Sequence, residues 1–90
     1  MSKLEQTEFL RLLDVTENFE VLECYRLLCP MPVIKTQNKL KDMHVGEYLK
    51  VICTDPGTMA DIPTWSRIND ITVIGFAELD DHTIQFLLRK

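Results

Sequence analysis

The stretch "FEVLECYRLLCPMPVIKTQNKLKDMHVGEYLKVIC", Phe19 to Cys53, decides the fold. Its opening, "FEVLECYRL", is rich in β-branched and aromatic residues and predicts a strand. In "PVIKTQNKLKDM", Ile34, Gln37, Leu40 and Met43 recur every third residue, with Val33 in the same stripe. Lys35, Lys39, Lys41 and Asp42 fall mostly on the other side, the pattern of an amphipathic helix. "HVG" closes it, and Gly46 suits a turn that needs positive φ. "EYLKVIC" then alternates, with Leu49, Val51 and Cys53 on one face and Tyr48, Lys50 and Ile52 on the other. Strand, crossover helix and strand imply two parallel strands joined by a right-handed connection.

Reading outward, "TDPG" turns the chain and a second helix is predicted over Ala60 to Asn69. Pro63 places that helix's first turn, with Asp61 as N-cap. "DITVIGFAEL" and "TIQFLLRK" read as two strands joined at "DDH" in a hairpin. The expected order is βαβαββ, an α/β (α+β) two-layer sandwich. Two helices lie on one face of its four-stranded mixed sheet. Residues 1–18 form a separate N-terminal arm or short helix, and residues 19–90 form the domain proper. Tyr48, Ile52, Ile74 and Phe76 alternate onto the sheet's open face. The arm's Phe9, Leu12 and Leu13 are expected to cover them, a partner or a second copy being the alternative.

Ninety residues, 46% hydrophobic and 27% charged, suit one domain with an ordinary core. A net charge of −4 argues against direct nucleic-acid binding, which needs clustered cations. No apolar run is long enough to span a bilayer, and no signal peptide is visible. Three cysteines in no framework spacing point to free thiols in a reducing cytoplasm. With His44 and His82 they make neither a C-x-x-C pair nor a zinc spacing, so no metal or cofactor is expected.

The chemistry concentrates at "CPMP". Cys29 stands at the start of the first predicted helix, with Pro30 expected at the first helical position and Pro32 within the first turn. The two prolines stiffen the chain beside the sulfur. The amides of Met31, Val33 and Ile34 and the helix dipole favour negative charge there. Such settings lower a thiol pKa of ~8.5 by about one unit or more and expose the nucleophilic thiolate. A free cysteine more often only fills a core, but a core residue needs no rigid helix start. Cys24 and Cys53 read as packed residues. Cys24 retains a possible second role as a resolving thiol, and Cys53 ends its strand at the same sheet edge as Cys29.

"CPMPV", "GEYLKV", "TDPGTMADIP" and the ending "FLLRK" together resemble the TusA-type (SirA-like) sulfur carrier family, across residues 20–90. The resemblance implies the βαβαββ fold and a persulfide carried on Cys29, flanked by the motif residues Pro30, Met31 and Pro32. It matches Asp55 and Asp61 to acidic positions of the downstream loop. It also implies two protein partners: a sulfur donor, cysteine desulfurase or rhodanese-like, and a sulfur acceptor. The relay would serve tRNA thiolation, cofactor biosynthesis or sulfur oxidation.

The chain departs from the family pattern in places. Arg26 stands where glycine is usual, and either alters the turn or adds a cation near the sulfur. Glu23 replaces aspartate, Ser66 a frequent cysteine, and Asp70-Ile71 a glycine-histidine pair. Two other readings compete: a thiol–disulfide oxidoreductase using Cys29 with Cys24, and a regulatory domain with an idle cysteine.

Overall fold

The computed structural model describes residues 3–16, 18–28 and 30–90. The chain runs α1 (Gln6–Val15), β1 (Glu20–Cys24), α2 (Met31–Lys41), β2 (Tyr48–Cys53), α3 (Thr58–Ile68), β3 (Thr72–Glu78) and β4 (Ile84–Arg89). The strands form one mixed sheet in the order β1-β2-β4-β3. β1 and β2 are parallel, while β4 is antiparallel to both β2 and β3. This is the expected βαβαββ body.

Strand alternation sorts the side chains into two layers of packing. On one face Leu49, Val51 and Cys53 join Cys24 of β1 and Ile84, Phe86 and Leu88 of β4. Leu40 and Met43 from α2 and its C-terminal end, and Ile62 from α3, close over them. Phe76 and Phe86 stack there with ring centroids 5.3 Å apart. Within α2 Thr36 Oγ1 donates to the Pro32 carbonyl at 2.7 Å, and the helix's C-terminal end is held by the Lys90 ammonium, which donates to the carbonyls of Met43 (2.7 Å) and Leu40. A cation on the last helical carbonyls also complements the helix dipole. Gly46 adopts φ 94°, as its place before β2 anticipates.

The other face carries a smaller cluster, Phe9, Ala77 and Leu87, with Leu4, Leu12, Leu13, Phe19 and Tyr48 packed against it. The N-terminal segment is thus a helix laid on the sheet, and Phe9, Leu12 and Leu13 supply the cover expected of them. Its N-terminal side is tied down by Leu4 N donating to the Phe76 carbonyl (2.8 Å) and by Gln6 exchanging two hydrogen bonds with Asp80.

Two expectations need correction. Phe76 does not share the face of Tyr48 and Ile52, because the β3–β4 register shifts between Val73 and Gly75. That bulge puts one extra residue, Ile74, into the strand and turns everything after it over. Phe76 therefore joins the helix-covered core, and Ala77 the opposite cluster. In α3, Asp61 is not the N-cap. The helix starts at Thr58 behind Gly57, so Pro63 lies inside it. The start is organised by Asp55, whose carboxylate accepts Gly57 N (3.2 Å) and whose carbonyl accepts Thr58 N (3.1 Å) and Thr58 Oγ1 (2.7 Å). This turn fixes the first helical residue earlier than the proline rule does, and the helix forgoes the one hydrogen bond that Pro63 cannot donate.

Candidate functional site

Cys29 itself lies outside the described residues; the elements on either side of it define the site. β1 and β2 run in parallel and end in register at Cys24 and Cys53. Both chains therefore leave the sheet at one edge, the carboxyl edge where open α/β sheets collect functional residues. One loop runs from Tyr25 to Pro30 and the other from Thr54 to Gly57. They are joined by the Arg26 amide, which donates to Thr54 Oγ1 at 2.8 Å. The hairpin turn before β4 reaches the same edge, since Ile84, the first residue of β4, pairs with Cys53 at the end of β2. Desolvation first, then Glu23 and Asp81, hold the Tyr25 phenol above its ordinary pKa.

Arg26 adopts φ 60°, the left-handed conformation. A non-glycine residue there is strained by about 1–2 kcal/mol. Its backbone thus takes a left-handed conformation that glycine adopts without strain.

On the far side, Pro30 is the N-cap of α2, with φ −96° and ψ 13°; Met31 is the first helical residue and Pro32 the second. The prolines thus sit one position earlier than expected, Pro30 just outside the helix. The amides expected to face the sulfur are also partly committed. Met31 N donates to the Leu28 carbonyl at 2.9 Å, and Ile34 N to the Pro30 carbonyl at 3.1 Å. The turn from Leu28 to Met31 closes on itself, and the Ile34 bond is the helix's first full turn. These two amides do not remain for an anion, which leaves the helix dipole as the more general influence.

The surroundings are apolar and open. Leu28 is 72% exposed, Met31 43% and Ile34 40%. Met31 and Ile34 lie three apart, so they share one side of α2. Lys35 and Lys41 are exposed on the same helix. Lys39 is not available in the same way. It pairs with Glu20 at 2.7 Å, and that hydrogen bond, with Coulomb attraction, raises its pKa.

Asp55 and Asp61 lie at the start and in the first turn of α3. Asp55 is a builder of that helix start as described above. Asp61 N donates to the Gly57 carbonyl at 3.1 Å, and its acidic side chain suits the dipole's positive end. Ser66, in α3 where the family often has cysteine, is fully buried with no hydrogen-bond partner for its Oγ.

Sequence reading did not bring Cys24 and Cys53 together, although each was assigned to the core. They are register partners on adjacent parallel strands, and both are free, buried thiols. The Cys53 thiol is pushed well above its ordinary range by its hydrogen bond with Cys24 and by burial. The strand alignment that pairs them was the available signal: five residues of β1 against the last five of β2 leave Cys24 opposite Cys53. Among the described residues no group of histidine, cysteine and carboxylate side chains could hold a metal ion. No described helix is long and apolar enough to cross a membrane.

Comparison with known proteins settles the family. Residues 20–90 match the family described as "Sulfurtransferase TusA", a span that begins with β1 and includes the whole sheet. The chain belongs to the TusA family. This TusA domain is 36% identical over 70 residues to "Putative sulfur carrier protein YrkF" of Bacillus subtilis, a match covering 78% of this chain and 37% of that protein. Proteins described in the same terms match from Halobacterium salinarum, 43% identical over 53 residues (59% of this chain, 62% of the other). One from Aquifex aeolicus is 35% identical over 66 residues, covering 73% of this chain and 34% of the other. The TusA domain thus spans only about a third of two of these relatives.

Proposed function

We propose that this TusA-family chain is a sulfur carrier whose Cys29 takes up a sulfane sulfur as a persulfide and passes it to another protein. The observation that carries the reading is the coincidence of family and architecture. In a chain matching the TusA family over its whole sheet, Pro30, Met31 and Pro32 of the Cys-Pro-Met-Pro sequence open α2, which follows the carboxyl end of β1.

The chemistry is redox-neutral exchange. The Cys29 thiolate attacks the terminal sulfur of a donor persulfide, R–S–SH. The donor's S–S bond breaks, the new S–S bond forms on Cys29, and the donor leaves as its thiolate. Delivery repeats the step, with an acceptor thiolate attacking the outer sulfur and Cys29 leaving. The helix dipole of α2 favours the anion in both stages. Pro30, Met31 and Pro32 set the chain direction beside the sulfur, and Arg26 holds the turn that precedes it. Asp55 and Asp61 support the neighbouring loop rather than the reaction. Leu28, Met31 and Ile34, with Lys35 and Lys41 behind them, form the surface against which donor and acceptor dock. A cysteine desulfurase or a rhodanese-like protein fits as donor in a reducing cytoplasm. The acceptor belongs to tRNA thiolation, cofactor biosynthesis or sulfur oxidation.

The oxidoreductase alternative loses ground on one observation: Cys24, its needed resolving thiol, is fully buried as the register partner of Cys53.

The test is intact-protein mass after incubation with a desulfurase plus cysteine, and separately with a rhodanese plus thiosulfate. The expected result is a DTT-reversible gain of one sulfur atom in wild type, Cys24→Ser and Cys53→Ser, and none in Cys29→Ser. Transfer that persists in Cys29→Ser would overturn the assignment of the carrier thiol. No gain in any form, with Cys29 open to alkylation, would favour a regulatory domain.

A further inference from the structure

We propose that Cys24 and Cys53 form a second thiol site, a cross-strand dithiol that a small hydroperoxide oxidises to a reversible disulfide. The two residues are in register on neighbouring parallel strands, and each is the last residue of its strand. Both side chains belong to the helix-covered core, so they project from the same face. Neighbouring strands lie about 4.8 Å apart, inside the Cα separation of roughly 4.4–6.8 Å that a disulfide spans. The register alone brings the two residues side by side.

The pair is also chemically biased. The hydrogen bond from Cys53 favours the thiolate of Cys24, and the Lys35 cation adds to this against the opposing effect of burial. The same bond holds the proton on Cys53. Cys24, on the edge strand β1, is accordingly the attacking sulfur, and Cys53, on the internal strand β2, the resolving thiol. Nothing in sulfur carriage on Cys29 uses either of them.

Both thiols are fully buried, so access decides which oxidant serves. Cys24 lies at the end of β1, which is an edge strand of only five residues. Beyond it the chain turns at once through exposed Tyr25 and left-handed Arg26. Strand ends of this kind open locally at far less free energy than the whole domain. Such an opening admits a water-sized peroxide more readily than a bulky disulfide.

The step balances as follows. Cys24 thiolate attacks one peroxide oxygen; the O–O bond breaks, Cys24 becomes a sulfenic acid, and the departing hydroxide takes up the thiol's proton as water. Cys53 sulfur then attacks the Cys24 sulfur; the S–O bond breaks, the S–S bond forms, and the hydroxyl leaves with the Cys53 proton as a second water. Two thiols are oxidised by two electrons and one peroxide is reduced. The bond clamps the edge strand to β2 at the end from which the chain runs on to Leu28.

The experiment uses the full-length Cys29→Ser chain, with Cys29→Ala as a second background, so its outcome is independent of sulfur carriage on Cys29. Each is treated with hydrogen peroxide, analysed by intact mass and non-reducing peptide mapping, and followed by circular dichroism. The expected result is a folded monomer lighter by two hydrogen atoms, restored by DTT, with one cross-linked peptide pair joining Cys24 to Cys53. In Cys29→Ser/Cys53→Ala, dimedone should trap the sulfenic acid on Cys24 instead. Two thiols still alkylated in denaturant after treatment would overturn the proposal. So would oxygen added separately to each cysteine, disulfides between chains, or oxidation that occurs only once the chain has unfolded.

Discussion

The two faces of the sheet are built in different ways. Under α2 and α3, alternation alone assembles a large core: Leu49, Val51 and Cys53 from β2 meet Ile84, Phe86 and Leu88 from β4, without interruption. Under α1 the cluster of fully packed residues is small, and its fit depends on a bulge at Ile74 and on a missing side chain at Gly75. A Cβ at Gly75 would stand 2.7 Å from Leu4 Cδ1 and 3.2 Å from Leu12 Cδ2. The first face is an averaged result of many contacts. The second rests on close approach at a single point, and is the more easily broken.

The largest effect expected from this contrast is at Ile62, fully buried between α3 and the sheet. Ile62→Ala should destabilise the whole domain by about 3 kcal/mol, from lost burial plus an unfilled cavity. Chemical denaturation checks this. A loss under about 1 kcal/mol would mean that the helix-covered face is not the principal core.

Gly75→Val should have a smaller and more local effect, about 1–3 kcal/mol, because the new side chain pushes Leu4 and Leu12 away. Hydrogen exchange should show α1 losing protection while β2 and β4 keep theirs. Equal loss across all strands would show that the two faces fold as one unit and remove the contrast.

The smallest change should be a gain, at the edge where both faces end. Arg26→Gly relieves the left-handed strain at φ 60° and keeps the amide bond to Thr54. It should stabilise the protein by about 0.5–1 kcal/mol, the strain relief being offset in part by the greater freedom of unfolded glycine. Thermal unfolding reads it. A destabilised variant would mean that the Arg26 side chain makes contacts worth more than the strain.

Much of this was readable beforehand, for identifiable reasons. The periods of two and of 3.6 that placed β1, α2 and β2 are properties of local backbone geometry, so the residues display them directly. The Cys-Pro-Met-Pro sequence was legible for a similar reason, since proline acts on φ wherever it stands. The start of α3 was misread because the signal from Pro63 was weighed above the Asp55 turn, whose hydrogen bonds reach back to Gly57 and Thr58. Phe76 was placed on the wrong face because a bulge shifts register without leaving a mark in the hydrophobic pattern.

By itself, then, the sequence determined the order of elements, the parallel pairing of β1 with β2 and the family, and it supplied Cys29 as the proposed carrier residue. Each of those depends on neighbouring residues or on a motif of fixed spacing. Tertiary structure decided which face Phe76 joins, that Arg26 takes a left-handed conformation, that Lys39 is paired to Glu20, and that Cys24 and Cys53 meet. These depend on register between strands and on contacts between segments far apart in the chain, and no local pattern encodes the alignment of one strand against another.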